Sequence, residues 1–288
     1  MIKNMRFLAE RAVPIICFIL FSAFFILYAL GEIPPKCYGV YCVNSEELLA
    51  GENIDVHIAP ASLTKLLTAC TALYYIDPDE ILTVGSERRS VPKHSSLCLI
   101  QEGHTLKLRD LIAGMLMVSG NDAAYTVAVS TVWMLKGEPM STGECIEYFC
   151  SMMNSLAKEI GMTDSSFVTP DGTDTEEQYT TVSDLIKLSE YALTIPVIRE
   201  IISEHEKYVV FVSGENITWT NSNKLIDPDS LFYAEYAIGM KTGTTEKAGN
   251  CLIGVFEKDG KTYITVVAGC GTDRERYEKT LDLVGNLL

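Results

Sequence analysis

From Ala12 to Leu30 (AVPIICFILFSAFFILYAL) the chain carries no charged residue, and no other feature limits the possible folds so sharply. The run is about as long as a helix that crosses a bilayer, roughly 20 residues. Lys3, Arg6 and Arg11 precede it, whereas Glu32 and Pro34-Pro35 follow. A basic flank stays in the cytoplasm, so the rest of the chain is expected to cross. Residues 1–31 are read as a cytoplasmic tip with a transmembrane anchor or signal peptide. An uncleaved anchor is favoured; Ala29-Leu30-Gly31 offers the small-residue site that a cleaved signal peptide would need. A buried core helix fits less well, because a basic flank beside so long an uncharged run is an export pattern.

Charge narrows the partners of the exported part. The whole chain of 288 residues has 23 Lys+Arg and 38 Asp+Glu. Removing residues 1–30 takes away three basic groups and one acid, which leaves 20 against 37, a net charge of −17. Such a balance repels polyanions at long range, so nucleic acid is not an expected partner, and any anion site must be a local positive pocket. Nine cysteines include Cys17 in the apolar run, and the other eight show no CxxC pair and no disulfide framework. Buried or free thiols are the expectation. His57, His94, His104 and His205 are scattered without an HExxH, so no metal site is expected.

The pattern along the chain then sets the fold class. Residues 32–56 mix turn residues with short apolar runs, which suits a stem followed by a first strand or hairpin, and residues 57–288 are expected to form one domain. From Ser62, LTKLLTACTALYYI has helical spacing and is stopped by Asp77-Pro78. Helices are also expected over Leu106–Val118, after the turn Ser119-Gly120-Asn121, over Cys145–Ile160, and over Thr181–Leu193 with a stop near Pro196. Beyond Glu204 the texture is strand-like: KYVVFV, ITWT, YAIGMKTG, then NCLIGVF and TYITVVAG flanking the turn Glu257-Lys258-Asp259-Gly260. A closing helix around Arg276–Val284 could pack on that sheet. The order points to an α+β domain, an antiparallel sheet flanked by helices with a mostly helical lobe.

A serine is a poor nucleophile until a neighbouring base takes its proton, and residues three apart on a helix share a face. Ser62-Leu63-Thr64-Lys65 meets that need, but so on spacing alone do Ser90-Val91-Pro92-Lys93 and Ser155-Leu156-Ala157-Lys158. Pro92 disfavours a regular helix around the first of these, and the second lies inside a helix where its amide is already bonded. Ser62 begins a helix, where free amides and the helix dipole can stabilise an oxyanion. Ser119-Gly120-Asn121 adds a hydroxyl and an amide on a tight turn. Lys241-Thr242-Gly243 adds a cation, a hydroxyl and a residue that lets a ligand approach the backbone. Taken together, in this order and on these elements, the three groups mark an active site.

The trio S-x-x-K, S-x-N and K-T-G is similar to that of penicillin-recognising serine enzymes. APASLTKLLTA, VSGNDAA, MMNSLAKEIGM, NSNKLI and GMKTGTTEKAGNCL resemble the low-molecular-mass D-alanyl-D-alanine carboxypeptidases, peptidase family S11, over His57 to Leu288. The resemblance implies the β-lactamase/DD-peptidase-like fold and removal of the terminal D-alanine from peptidoglycan stem peptides ending in D-Ala-D-Ala. It implies catalytic roles for Ser62 as nucleophile, Lys65 as base and Ser119 as proton relay to the leaving nitrogen. It further implies that Asn121 holds the substrate amide, that Lys241, Thr242 and Thr244 attract the terminal carboxylate beside Gly243, and that the amides of Ser62 and Thr244 form the oxyanion hole. No cofactor is implied, and β-lactams would be covalent inhibitors.

The chain is also expected to depart from the family. Many relatives carry a small β domain and an amphipathic tail after the catalytic domain, and neither is expected before Leu288, so attachment to the bacterial cell membrane would come from the N-terminal segment, with the catalytic domain extracytoplasmic, or secreted if that segment is cut. Thr169–Thr180 (TPDGTDTEEQYT) is unusually acidic, and Asp171 is read as a turn former without a catalytic role. The rivals are a class A-like β-lactamase, which would need an additional glutamate that no residue convincingly supplies, and a catalytically idle peptidoglycan-binding protein of the same fold.

Overall fold

Segments with strand character at opposite ends of the chain meet in one sheet. The computed structural model describes residues 36–137, 140–285 and 287, so the apolar run Ala12–Leu30 and its reading as an anchor lie outside the described residues. Among the described residues no helix is long and apolar enough to cross a membrane. In chain order the elements are β1 (Cys37–Cys42), β2 (Glu47–Glu52), α1 (Thr64–Tyr75), β3 (Ile81–Thr83), β4 (Thr105–Lys107), α2 (Leu108–Met117), α3 (Asn121–Lys136), α4 (Thr142–Glu159), α5 (Val182–Leu193), α6 (Pro196–Ser203), β5 (Glu206–Val210), β6 (Asn216–Thr220), β7 (Ala237–Thr245), β8 (Gly249–Lys258), β9 (Lys261–Cys270) and α7 (Asp273–Val284). The architecture is α+β, as the order of sequence patterns implied.

The main sheet has the order β2-β1-β9-β8-β7, and its neighbours are antiparallel. The β8–β9 hairpin closes on Asp259 and Gly260, both with positive φ (51° and 75°), between paired Lys258 and Lys261. A two-residue loop of that shape matches the strands' right-handed twist, which is why Asp-Gly marks it in the sequence. The hairpin β1–β2 joins by pairing Cys37–Cys42 with Ala268–Tyr263. This leaves β7 at the edge of the sheet, with one side open.

Both faces of the sheet are covered, and β8 shows how. Cys251, Ile253 and Val255 enter the main core with the helices, while Leu252 and Phe256 enter a smaller core with Leu225 and Tyr277, under α7. Successive strand residues point to opposite faces, so both sets must be apolar. In the helical layer α1 is buried from Thr64 to Ala72. Leu66 and Leu67 are fully buried there, and each such side chain stabilises by about 1.5–3 kcal/mol relative to exposure. That burial holds the start of α1 in a fixed place. The eight cysteines of the described residues are all buried.

The helix expected over Thr181–Leu193 does end at Leu193, short of Pro196, and the structure adds a helix that the sequence pattern did not suggest, α6, which Pro196 opens as its first residue. Proline lacks only an amide that the first turn leaves unbonded anyway, and its φ already suits a helix.

The loop after α4 lies against the start of α1 with no room to spare. Gly172 has φ +89°, and a Cβ there would stand 1.8 Å from the Ala61 carbonyl oxygen and 2.9 Å from Thr64 Oγ1. Gly172→Ala should therefore cost at least about 2 kcal/mol of stability in denaturant unfolding, combining backbone strain with a clash against backbone. A loss below about 0.5 kcal/mol would mean that the loop can step off the turn freely.

Candidate active site

Ser62 sits in a 3-10 turn, Ala61–Leu63, that runs directly into α1. Three residues on, Lys65 is completely buried. Its Nζ lies 2.8 Å from Ser62 Oγ and donates to the Asp171 carbonyl at 2.6 Å. Burial pulls its pKa down to about 8, and the Asp171 and Asp122 carboxylates oppose that pull without cancelling it. In the neutral form the amine can still donate to the carbonyl, and its lone pair can take the hydroxyl proton. The other two serine-lysine pairs lack this environment. Ser90 ends a 3-10 stretch, and Ser155 lies exposed in mid-α4 with its Oγ donating to Ser151 O at 2.8 Å.

The turn between α2 and α3 supplies the second group. Ser119 adopts a left-handed backbone (φ 61°), unfavourable for a residue with a Cβ and found where surroundings enforce it. Gly120 permits the enforcement, since a Cβ there would stand 2.8 Å from Cys98 Cβ. Asn121 opens α3, its amide N–H donating to Ser96 O at 2.8 Å and its Nδ2 to Asp171 Oδ2 at 2.7 Å. The next residue, Asp122, is buried and accepts from the amides of Cys98 and Ala123.

Edge strand β7 supplies the third. Lys241 is 1% exposed; its Nζ donates to Ser119 Oγ at 3.1 Å and to Thr242 O at 2.8 Å. Burial holds its pKa well below the usual lysine range, and the positive charges of Lys65 and Arg276 push the same way. Gly243 brings β7 against the nucleophile's turn: a Cβ on it would lie 3.2 Å from the Ser62 amide nitrogen. Thr242 is buried, its hydroxyl 3.0 Å from Ser222 Oγ, and Thr244 is exposed, its hydroxyl donating to Asn250 Oδ1 at 3.2 Å.

Thus the structure brings Ser62, Lys65, Ser119, Asn121 and Lys241 together through short contacts, with Thr242, Gly243 and Thr244 along the adjoining strand. It adds two residues to which the sequence assigned no part in the site. Arg276 of α7, 7% exposed, donates to Gly243 O and Cys251 O at 3.0 Å and to Thr244 Oγ1 at 3.2 Å. Nothing local marks it among the charged residues of that helix. Asp171, read as a turn former, is 1% exposed and touches both Lys65 and Asn121. The acidity of its segment was the available signal. Among the described residues no group of three or more His, Cys, Asp or Glu side chains is placed to hold a metal ion.

Comparison with known proteins gives the family and the fold. A family model for D-alanyl-D-alanine carboxypeptidases, Peptidase_S11, matches residues 32–272. The chain is 30% identical over 249 residues to the D-alanyl-D-alanine carboxypeptidase DacC of Escherichia coli (strain K12), covering 83% of this chain and 58% of that protein. It is 29% identical to DacF of Bacillus subtilis (strain 168), covering 81% and 57%. This chain therefore spans less than two thirds of the length of these relatives. Among solved structures, the Streptomyces K15 DD-transpeptidase superposes with a TM-score of 0.78 at 24% identity, over 86% of this chain and 94% of that one. At that identity the likeness establishes the fold alone.

The buried amine beside Ser62 should govern its reactivity. Acylation of Ser62 should rise with pH through about 8, because only the unprotonated amine can accept the serine proton. Lys65→Arg should lower that rate by about a thousandfold or more at every accessible pH, since a guanidinium stays protonated. Rapid-quench mass spectrometry across pH 6–10 (roughly the range over which such an amine titrates) reads both effects; a flat profile would exclude Lys65 as the base.

Proposed function

The chain belongs to the D-alanyl-D-alanine carboxypeptidase family of serine peptidases, and from that membership we propose that it removes the terminal D-alanine from peptidoglycan stem peptides through an acyl-enzyme on Ser62. The observation that carries this reading is the 2.8 Å contact between the Ser62 hydroxyl and a fully buried Lys65, its pKa pulled down by burial, at the start of a helix.

The reaction runs as follows. Lys65 takes the Ser62 proton while Oγ attacks the carbonyl between the two D-alanines. The oxyanion forms against the amides of Ser62 and Thr244, whose donors offset its developing charge. Gly243 supports this role by letting β7 lie against the turn that carries Ser62. Ser119 gives its hydroxyl proton to the leaving nitrogen and is refilled with the proton that Lys65 took from Ser62, which returns Lys65 to its neutral form; Lys241, 3.1 Å from the Ser119 hydroxyl, steadies that oxygen as it loses a proton and regains one. The substrate carboxylate is held by Lys241 and the hydroxyls of Thr242 and Thr244. Arg276, bonded to Thr244 Oγ1, adds a fixed positive charge behind them. Asn121 holds the amide of the retained peptide, and water then releases that peptide from Ser62.

The N-terminal run supports placing this chemistry outside the cytoplasmic membrane, with residues 1–31 as anchor or export signal. Penicillin would acylate Ser62 as a substrate mimic.

Incubation of the chain with a peptide ending in D-Ala-D-Ala should release one free D-alanine, and Ser62→Ala should abolish release. With penicillin the purified protein should gain the mass of one molecule, and the adduct should persist. Rapid turnover of the drug would point to a β-lactamase, and no adduct at all to an idle binding protein. In intact cells a membrane-impermeant penicillin should label Ser62; labelling only after lysis would overturn the extracytoplasmic assignment.

A further inference from the structure

The reaction leaves the acidic loop Thr169–Thr180 without a task, yet Asp171 in that loop is bonded to both Lys65 and Asn121. Its carbonyl accepts from Lys65 Nζ at 2.6 Å. One carboxylate oxygen, Oδ2, accepts from Asn121 Nδ2 at 2.7 Å and from Thr173 Oγ1 at 2.8 Å. The other, Oδ1, accepts from the Thr173 amide at 3.1 Å. Gly172, whose missing side chain lets the loop lie on the Ala61 carbonyl, locks this residue against the turn that carries Ser62.

An ionised carboxylate only accepts hydrogen bonds. Facing one, the Asn121 side chain must present its Nδ2, and its Oδ1 is thereby turned to the other side. A neutral amide at position 171 would tolerate either orientation. We infer that Asp171 is the positioning residue of this active site, its carbonyl fixing the Lys65 amine and its carboxylate fixing the side-chain amide of Asn121. The inference rests on the carboxypeptidase reading, which gives Lys65 and Asn121 their tasks. It also separates Asp171 from the additional carboxylate of a β-lactamase. A base that activates the deacylating water needs an oxygen open to that water, whereas both oxygens here are bonded to protein and the residue is 1% exposed.

The charged groups around Lys65 give a readout that packing alone would not move. Asp171 faces it from the loop and Asp122 from α3; Lys241 faces it from β7, with Arg276 of α7 behind. The remaining titratable neighbours of Asp171, Tyr125 on α3 and Cys150 on α4, are held protonated by burial first and by the Asp171 charge second. Taking away the Asp171 charge removes one of two anions that favour the ammonium form. The amine then loses its proton at lower pH, and the acidic limb of Ser62 acylation moves to lower pH.

The test measures penicillin acylation of Ser62 against pH in the full chain, for wild type, Asp171→Asn and Thr173→Val, with thermal melting alongside. For Asp171→Asn the expected result is a plateau rate about tenfold or more below wild type, from loss of orientation, together with an acidic limb displaced to lower pH. Thr173→Val removes one donor to the carboxylate and keeps its charge, so a smaller rate loss with an unmoved limb is expected. An unmoved limb in a folded Asp171→Asn protein would overturn the inference, and so would a longer-lived adduct, which would make Asp171 the deacylating base. If Asp171→Asn does not fold, an unchanged rate in Thr173→Val overturns it. A wild-type chain that penicillin leaves unlabelled would instead remove the carboxypeptidase reading itself.

Discussion

A lysine amine with no water around it is the constraint on which the rest of this structure depends. Removing an ammonium group from water costs several kcal/mol even after the surroundings relax, about as much as a small domain's whole margin of stability can spare. The fold lessens that cost by making the Lys65 proton easier to lose and by giving the amine two fixed contacts, Ser62 Oγ and the Asp171 carbonyl. Neutrality is also the state that the chemistry requires, so one burial serves both ends. Lys241, equally buried, is subject to the same pressure, and two ammonium groups so close would each raise the cost of the other.

Keeping those amines dry and in register takes contributions from every layer. The buried α1 cannot rotate without exposing Leu66 and Leu67, so Ser62 and Lys65 stay on the face they share. Edge strand β7 has an unpaired side, and Gly243 lets that side come within contact distance of the Ser62 amide. The strained Ser119 and the cramped Gly120 hold the second group toward Lys241. Such strain persists only where the surroundings over-determine it, which is typical of sites where position matters more than stability.

Much of this was legible beforehand, and the reasons differ from residue to residue. The helix from Ser62 and the β8–β9 hairpin announce themselves through local physics: apolar spacing in one case, an Asp-Gly turn in the other. The decoy serines could be set aside by the same means, since proline and mid-helix placement are local facts. Pro196 marked the end of one helix correctly but hid the start of the next, because a proline that follows one helix can equally open another and its neighbours do not say which. Asp171 misled for a different reason. Asp before Gly is ordinary turn chemistry, and only the approach of α1 and α3 turns it into a partner of Lys65 and Asn121. Arg276 had no local signal at all, because its place beside Thr244 follows from how α7 packs across the sheet.

The sequence alone therefore determined which groups could react, the order of helices and strands, and an export pattern in the first thirty or so residues, because composition, periodicity and spacing act over a few residues at a time. Tertiary structure alone decided that β1 pairs with β9 across more than two hundred residues, that the Lys65 and Lys241 amines are dry, and that Asp171 and Arg276 stand at the cleft. Burial and long-range pairing depend on what the rest of the chain brings near, and no short window of residues records it.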